Sequence, residues 1–287
     1  MIQFFGTPST NKMIVKTFLL FISFIWCAQC QDDTTPVTLH ACMKNIVIED
    51  YDGDLEAKTM ELFENAETIS FRSCNFTSFN ENFLHPMKNL KKLVLAHSRI
   101  ENVKPDTSSC CAQLKTIELI ESNFNTINEV DFKKVAQMPS MERFYMLRID
   151  IPTLPANTMV GSKLKILEIL YSNLATIEDG AFNGMEKLEV LNLQKNKIKV
   201  FPTGSLSSLK NLKELNMAGN LIEKMETKDI PSLPNLEKLN LGHNPIKNIN
   251  LGGLKEKLPK LKEVDVSGID IDLSKHEGVP LVKKAVA

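Results

Sequence analysis

Leu188-Glu-Val-Leu191-Asn-Leu193-Gln-Lys-Asn196-Lys-Ile198 decides the fold of this 287-residue chain. The pattern returns 24 residues later as Leu212-Lys-Glu-Leu215-Asn-Met217-Ala-Gly-Asn220-Leu-Ile222. A further 24 residues on it reads Leu236-Glu-Lys-Leu239-Asn-Leu241-Gly-His-Asn244-Pro-Ile246. Each copy is L-x-x-L-x-L-x-x-N-x-L. A fixed period of about 20–29 residues marks stacked units, none of which can bury its apolar side without its neighbours. The L-x-L core alternates inward and outward, so it is a strand with period 2. The asparagine points inward, where its amide serves backbone groups of the bend that follows.

Working outward, the same positions are filled elsewhere. Ala66, Ile69, Phe71, Cys74 and Phe76 form a first copy, Leu90 to Ile100 a second and Leu114 to Phe124 a third. Met141, Phe144, Met146, Ile149 and Ile151 follow after a 27-residue step, then Leu164 to Leu174, and at the far end Leu261 to Ile271. Ser98, Ser122 and Ser172 are shorter substitutes for the asparagine. Ile149 and Ile269 cannot hydrogen-bond through their side chains, which predicts irregular turns there. On these motifs the chain is identified as a member of the leucine-rich repeat family over residues 66–272, with about nine repeats. The resemblance implies an α/β solenoid. It would be a horseshoe with a parallel β-sheet on the concave face and irregular or short helical segments on the convex side. At about 4.8 Å per strand the sheet would run on the order of 40 Å and offer a platform to another macromolecule.

The ends read differently. Lys12 and Lys16 precede the apolar run Phe18 to Trp26, and Cys27-Ala28-Gln29-Cys30 offers small residues for cleavage after 28 or 30. Residues 1–28 therefore read as a secretory signal, too short for the ~20 apolar residues of a membrane span. Residues 31–65 are a polar tail and an N-terminal cap, and 273–287 a C-terminal tail in which Leu281, Val282 and Val286 either fold back as a cap or lead into further chain. A net charge of −1 gives no basic face for nucleic acid. Past the leader, Cys42, Cys74, Cys110 and Cys111 are the disulfide candidates, with three possible pairings. Spacing turns Cys111 inward and Cys110 outward.

Nothing in the chain has catalytic or metal-binding spacing: no H-E-x-x-H, G-x-S-x-G or phosphate loop is present, and the five histidines are scattered. The chain reads as a non-enzyme without cofactor or metal. The outward strand positions are more informative. From the sixth repeat on they are small or polar: Asn192, Gln194, Asn216, Ala218, Asn240 and Gly242. Before it, Ile120, Tyr145, Leu147, Ile166, Leu170 and Tyr171 fall on outward positions, with Arg143, Arg148, Glu118 and Glu168 around them. An apolar patch with a polar rim marks an interaction site, and Tyr and Arg are favoured at its centre. Ile120, Tyr145, Leu147, Arg148, Leu170 and Tyr171 are the partner-binding candidates. Asn75-Phe76-Thr77 is a glycosylation sequon, with Asn75 facing solvent.

Cys42 followed by Ile46-Val-Ile48, then Ile69-Ser-Phe71 and the serine-bearing Leu95-Ala-His-Ser98-Arg-Ile100, resembles secreted insect repeat proteins, including the leucine-rich immune proteins of mosquitoes. That resemblance implies an extracellular innate-immune factor with a protein ligand or co-receptor on its concave face. The longer members add a cysteine-rich segment and a coiled coil, which this sequence lacks. The alternative is an adhesion or matrix protein, or a receptor ectodomain fragment, with a developmental role.

Overall fold

The computed structural model describes residues 2–5, 44–55, 57–78, 81–101, 111–124, 132–272, 276 and 278–283. Most of the expected leader, and Cys42, Cys110 and Val286, lie outside these residues. The chain divides into two compact units, Met1–Val130 with Met138–Ser140, and Asp131–Gln137 with Met141–Ala287. The division falls in the 27-residue step between Leu114 and Met141, which holds the helix Phe132–Gln137.

In the first unit the strands Asn45–Glu49, Thr68–Arg72, Lys92–Ala96 and Thr116–Ile120 pair in parallel. Ile46, Ile69, Leu93 and Ile117 stand in one buried row, and half-buried Ile48 leads the next, of buried Phe71, Leu95 and Leu119. The expected cap therefore supplies a strand of the sheet, and Ile2–Phe5 pairs on its outer side. Phe71 meets Phe76 and Phe83 edge-on at 5.4 and 5.8 Å between centroids, filling the space behind the strands.

The second unit repeats the plan with Arg143–Leu147, Ile166–Leu170, Val190–Asn192, Glu214–Asn216, Lys238–Asn240 and Glu263–Asp265. Phe144, Leu167, Leu191, Leu215, Leu239 and Val264 form its buried row. Leu281–Val282 adds a last parallel strand beside Val264 and Asp265, both residues half-buried, so these two do fold back onto the final repeat. Behind the sheet run turns and one-turn helices such as Thr203–Leu206 and Leu254–Lys257. The fold is a leucine-rich repeat solenoid.

Charges at the strand starts pair from one repeat to the next, 23 to 25 residues apart. In the second unit Glu189 meets Lys213 at 2.7 Å, Glu214 meets Lys238 at 2.6 Å and Glu237 meets Lys262 at 2.7 Å. In the first, Glu67 is held between Lys44 at 3.0 Å and Lys91 at 2.7 Å. The Lys91 hydrogen bond first, then that of Lys44, hold the Glu67 carboxyl at about 2, below its ordinary 4.5. A depressed folded value stabilises fully above the unfolded pKa and fades as pH falls through the folded one. Glu67→Gln is thus expected to melt below the wild type at neutral pH, the gap narrowing from pH 4.5 towards 2. A gap independent of pH would show that the ion pairs carry no such linkage.

Candidate functional site

The open face of the second unit is set by two columns, one inward and one outward. Inward is the ladder. Asn220 accepts the Ile198 N–H at 3.1 Å and donates to the Leu193 and Met217 carbonyls, each at 2.9 Å. Asn244 does the same for Ile222, Met217 and Leu241. Asn196 accepts from Ser172 and Leu174. Each side chain thus closes the bend of the preceding repeat as well as its own. This corrects the expectation of an irregular turn at Ile149. Its N–H is received by Ser172 Oγ at 3.2 Å, 23 residues later, so the turn needs nothing from the isoleucine side chain.

Outward, Asn192, Asn216 and Asn240 fold back on their own strands. Their Oδ1 atoms accept the N–H of Gln194, Ala218 and Gly242 at 3.2, 3.0 and 2.9 Å. Asn196 meanwhile donates to the Ile169 carbonyl at 2.6 Å. With both ladder groups taken by side chains, the strand stops after three residues. Arg143–Leu147 and Ile166–Leu170, with Tyr145 and Glu168 in the outward column, run to five. The polar face of the later repeats is therefore structural amide as much as surface.

The longer strands carry the patch. Their burial alternates half-buried and buried, which leaves Arg143, Tyr145 and Leu147 beside Ile166, Glu168 and Leu170 on the open face. Register sets Leu147 against Leu170 and Tyr145 against Glu168. Arg143 lies over the Tyr145 ring at 5.1 Å, while its Nη2 and Nε reach Glu168 Oε2 at 2.6 and 2.8 Å. Arg148 lies over the Tyr171 ring at 5.7 Å. Ile120 is half-buried at the end of its strand in the first unit, beside Ala96.

Arg148 and Tyr171 occupy a position that periodicity does not reveal. The residue before each ladder position has positive φ: Ser73, His97, Glu121, Arg148, Tyr171, Lys195 and His243, with Gly219 and Gly268 in the same column. This left-handed turn lifts the side chain to the rim of the face, and Tyr171 is 46% exposed. The backbone is held there by Arg148 N–H to the Leu170 carbonyl at 2.9 Å and Tyr171 N–H to that of Gln194 at 3.2 Å. The two glycines were the available signal, since glycine is the residue that takes such φ without strain.

Asn75 is exposed, in the short strand Asn75–Phe76, with Phe76 buried beneath it. Cys74 is a fully buried free thiol that donates to the Arg72 and Ile48 carbonyls, and burial raises it to about 11. Of the other disulfide candidates, Cys42 and Cys110 lie outside the described residues. Cys111 is half-buried in a turn with φ 62°, short of the core slot expected for it. Among the described residues no helix is long and apolar enough to cross a membrane, and no group of three or more His, Cys, Asp or Glu could hold a metal ion.

Family models for leucine-rich repeats match three segments. A BspA-type leucine rich repeat region matches residues 39–142, a leucine rich repeat 162–222 and a two-copy leucine rich repeat 234–275. No curated protein matches the chain. Among solved structures, FLRT2 from an octameric complex with Latrophilin 3 and Unc5D is 17% identical over 83% of each chain, with a TM-score of 0.63. The APL1 leucine-rich repeat domain is 19% identical over 77% of this chain and 55% of its own, at 0.56. Drosophila Toll, solved with Spatzle, is 17% identical over 83% of this chain and 40% of its own, at 0.54. Such identities show the fold alone. The ladder, the parallel rows and these matches make the chain a leucine-rich repeat protein, similar in structure to the APL1 repeat domain.

Proposed function

We propose that this is a secreted recognition protein of innate immunity that binds a protein partner on the open face of its second unit. The carrying observation is the pair of arginine-on-tyrosine stacks that frame Leu147 and Leu170 on a face otherwise lined by engaged amides. Rigid aromatic side chains beside apolar ones, with arginine at the edge, are the composition of interface centres. Tyr145, Leu147, Arg148, Leu170 and Tyr171 make the contact on the second unit, and Ile120, on the first, is a separate candidate. The leader-like run Phe18 to Trp26 supports secretion. The immune role is supported by the resemblance to insect immune repeat proteins and by similarity to Toll, solved in a complex described as a hub in development and innate immunity.

Affinity capture from the source's extracellular fluid, before and after infection, tests this reading. Recovery of one partner that the patch variants fail to retain supports it. Absence of the protein from that fluid would sink it. The FLRT2 likeness, which spans 83% of both chains, favours a second reading as an adhesion or receptor ectodomain; a transcript that continues into a membrane span decides for that one. Secretion also makes Asn75 a glycan site, because strand alternation puts Asn75 and Thr77 on the exposed side with Phe76 between them. Asn75→Gln is expected to remove one glycan from the secreted mass, and a wild type at its bare mass would refute it.

A further inference from the structure

Lysines at the strand starts of the second unit are paired across strands: Lys165 with Glu142, Lys213 with Glu189, Lys238 with Glu214, Lys262 with Glu237. Past the strand ends the pattern differs. Lys195, Lys197 and Lys199 alternate with Asn196 and Ile198, whose side chains are buried. Lys195 turns at φ 58°, and all three lysines are exposed on the turn that leaves the strand. None forms an ion pair among the described residues. The stem of Lys195 lies across Gly219, where a Cβ would come within 2.6 Å of its Cδ, so that glycine makes room for it. Two 24-residue steps on, exposed His243 stands in the Lys195 column and exposed Lys247 in that of Lys199. The carboxylates on these columns in the second unit are Glu223, between Lys199 and Lys247, exposed Asp270 and Asp272 in the last repeat, and Asp150, which Asn173 Nδ2 approaches at 3.5 Å.

We infer that this strip, Lys195, Lys197 and Lys199 with His243 and Lys247, binds a linear polyanion, namely a sulfated polysaccharide. Unpaired cations close together concentrate an anionic chain even on a protein whose net charge is −1. Lysine is a point charge on a flexible stem, suited to sulfates strung along a pliable chain without fixed bidentate geometry. Single-stranded nucleic acid would instead need aromatic faces on which bases stack. The aromatic ring in the Lys195 column, Tyr171, has Arg148 over its face. The choice of a polysaccharide rests on the extracellular reading above, but the test does not.

Full-length protein is titrated with heparin at several salt concentrations. Binding is expected to weaken steadily with salt. Lys195→Gln/Lys197→Gln/Lys199→Gln should lower affinity at least about tenfold and reduce the salt slope by about one per lysine removed. The control Lys213→Gln/Lys238→Gln/Lys262→Gln removes the same charge from paired sites and should stay within about twofold of wild type, because those lysines already face carboxylates. Tyr145→Ala with Tyr171→Ala should leave heparin binding intact, so this strip and the protein-binding patch stand or fall separately. No binding by the wild type, or equal losses in the two lysine variants, overturns the assignment. Tighter binding of a single-stranded oligonucleotide of equal charge would reassign the strip to nucleic acid.

Discussion

Asn220→Ala is expected to destabilise the protein by roughly 1–3 kcal/mol. Asn220 is 2% exposed, and its amide is the junction of three backbone groups from two repeats: the Ile198 N–H and the Leu193 and Met217 carbonyls. Alanine removes all three partners and leaves one donor and two acceptors in a site closed to bulk water. Each buried orphan costs about 1–3 kcal/mol when nothing replaces its partner. The carbonyls have a second lone pair and the gap admits some relaxation, so the total stays near the range for a single group. Asn220→Asp should be worse than alanine. It keeps an acceptor for Ile198 but turns its other oxygen, now charged, on two carbonyls. Denaturant midpoints of the three proteins at neutral pH give the order. An alanine variant with an unchanged midpoint, or an aspartate variant as stable as wild type, would mean that the ladder does not tie neighbouring repeats together.

That ladder also shows what the sequence could convey. The column Phe144, Leu167, Leu191, Leu215, Leu239 and Val264 was legible because burial enforces one residue class at one spacing. The outward side of Tyr145, Leu147 and Leu170 followed from parity alone. Neither the left-handed column nor the regular turn at Ile149 was legible. The first tolerates serine, histidine, glutamate, arginine, tyrosine and lysine, since it is fixed by the turn and not by side-chain chemistry; Gly219 and Gly268 alone betray it. The second depends on an oxygen at Ser172, in the next repeat, so a repeat read in isolation looks broken where the stack is whole. The outward asparagines were legible as polar, but their bonds to Gln194, Ala218 and Gly242 follow only from the backbone path.

Tyr145→Ala with Tyr171→Ala is expected to lower affinity for the captured partner by at least about 100-fold while the repeats stay folded. Centre residues of this kind commonly contribute 2 kcal/mol or more each, and every 1.4 kcal/mol is tenfold. Both rings stand on the open face and neither fills the buried rows, so truncation opens no cavity. The exchange Tyr171→Gly separates binding from folding more sharply. Tyr171 has φ 52°, a region that costs a residue with a Cβ about 1–2 kcal/mol. Glycine relieves that strain but loses about 0.5–1 kcal/mol of chain entropy. The net is a stability equal to wild type or higher by up to about 1 kcal/mol, with binding still impaired. Melting curves and partner titrations on the same preparations measure both. A tyrosine kept in a strained turn that glycine fills elsewhere in the column, at Gly219 and Gly268, is then held there by what its ring touches. Unchanged affinity in the double variant would move the partner site off this face. A Tyr171→Gly protein that melts well below wild type would show that the ring supports the fold, with Arg148 over it as packing and not as a prepared contact.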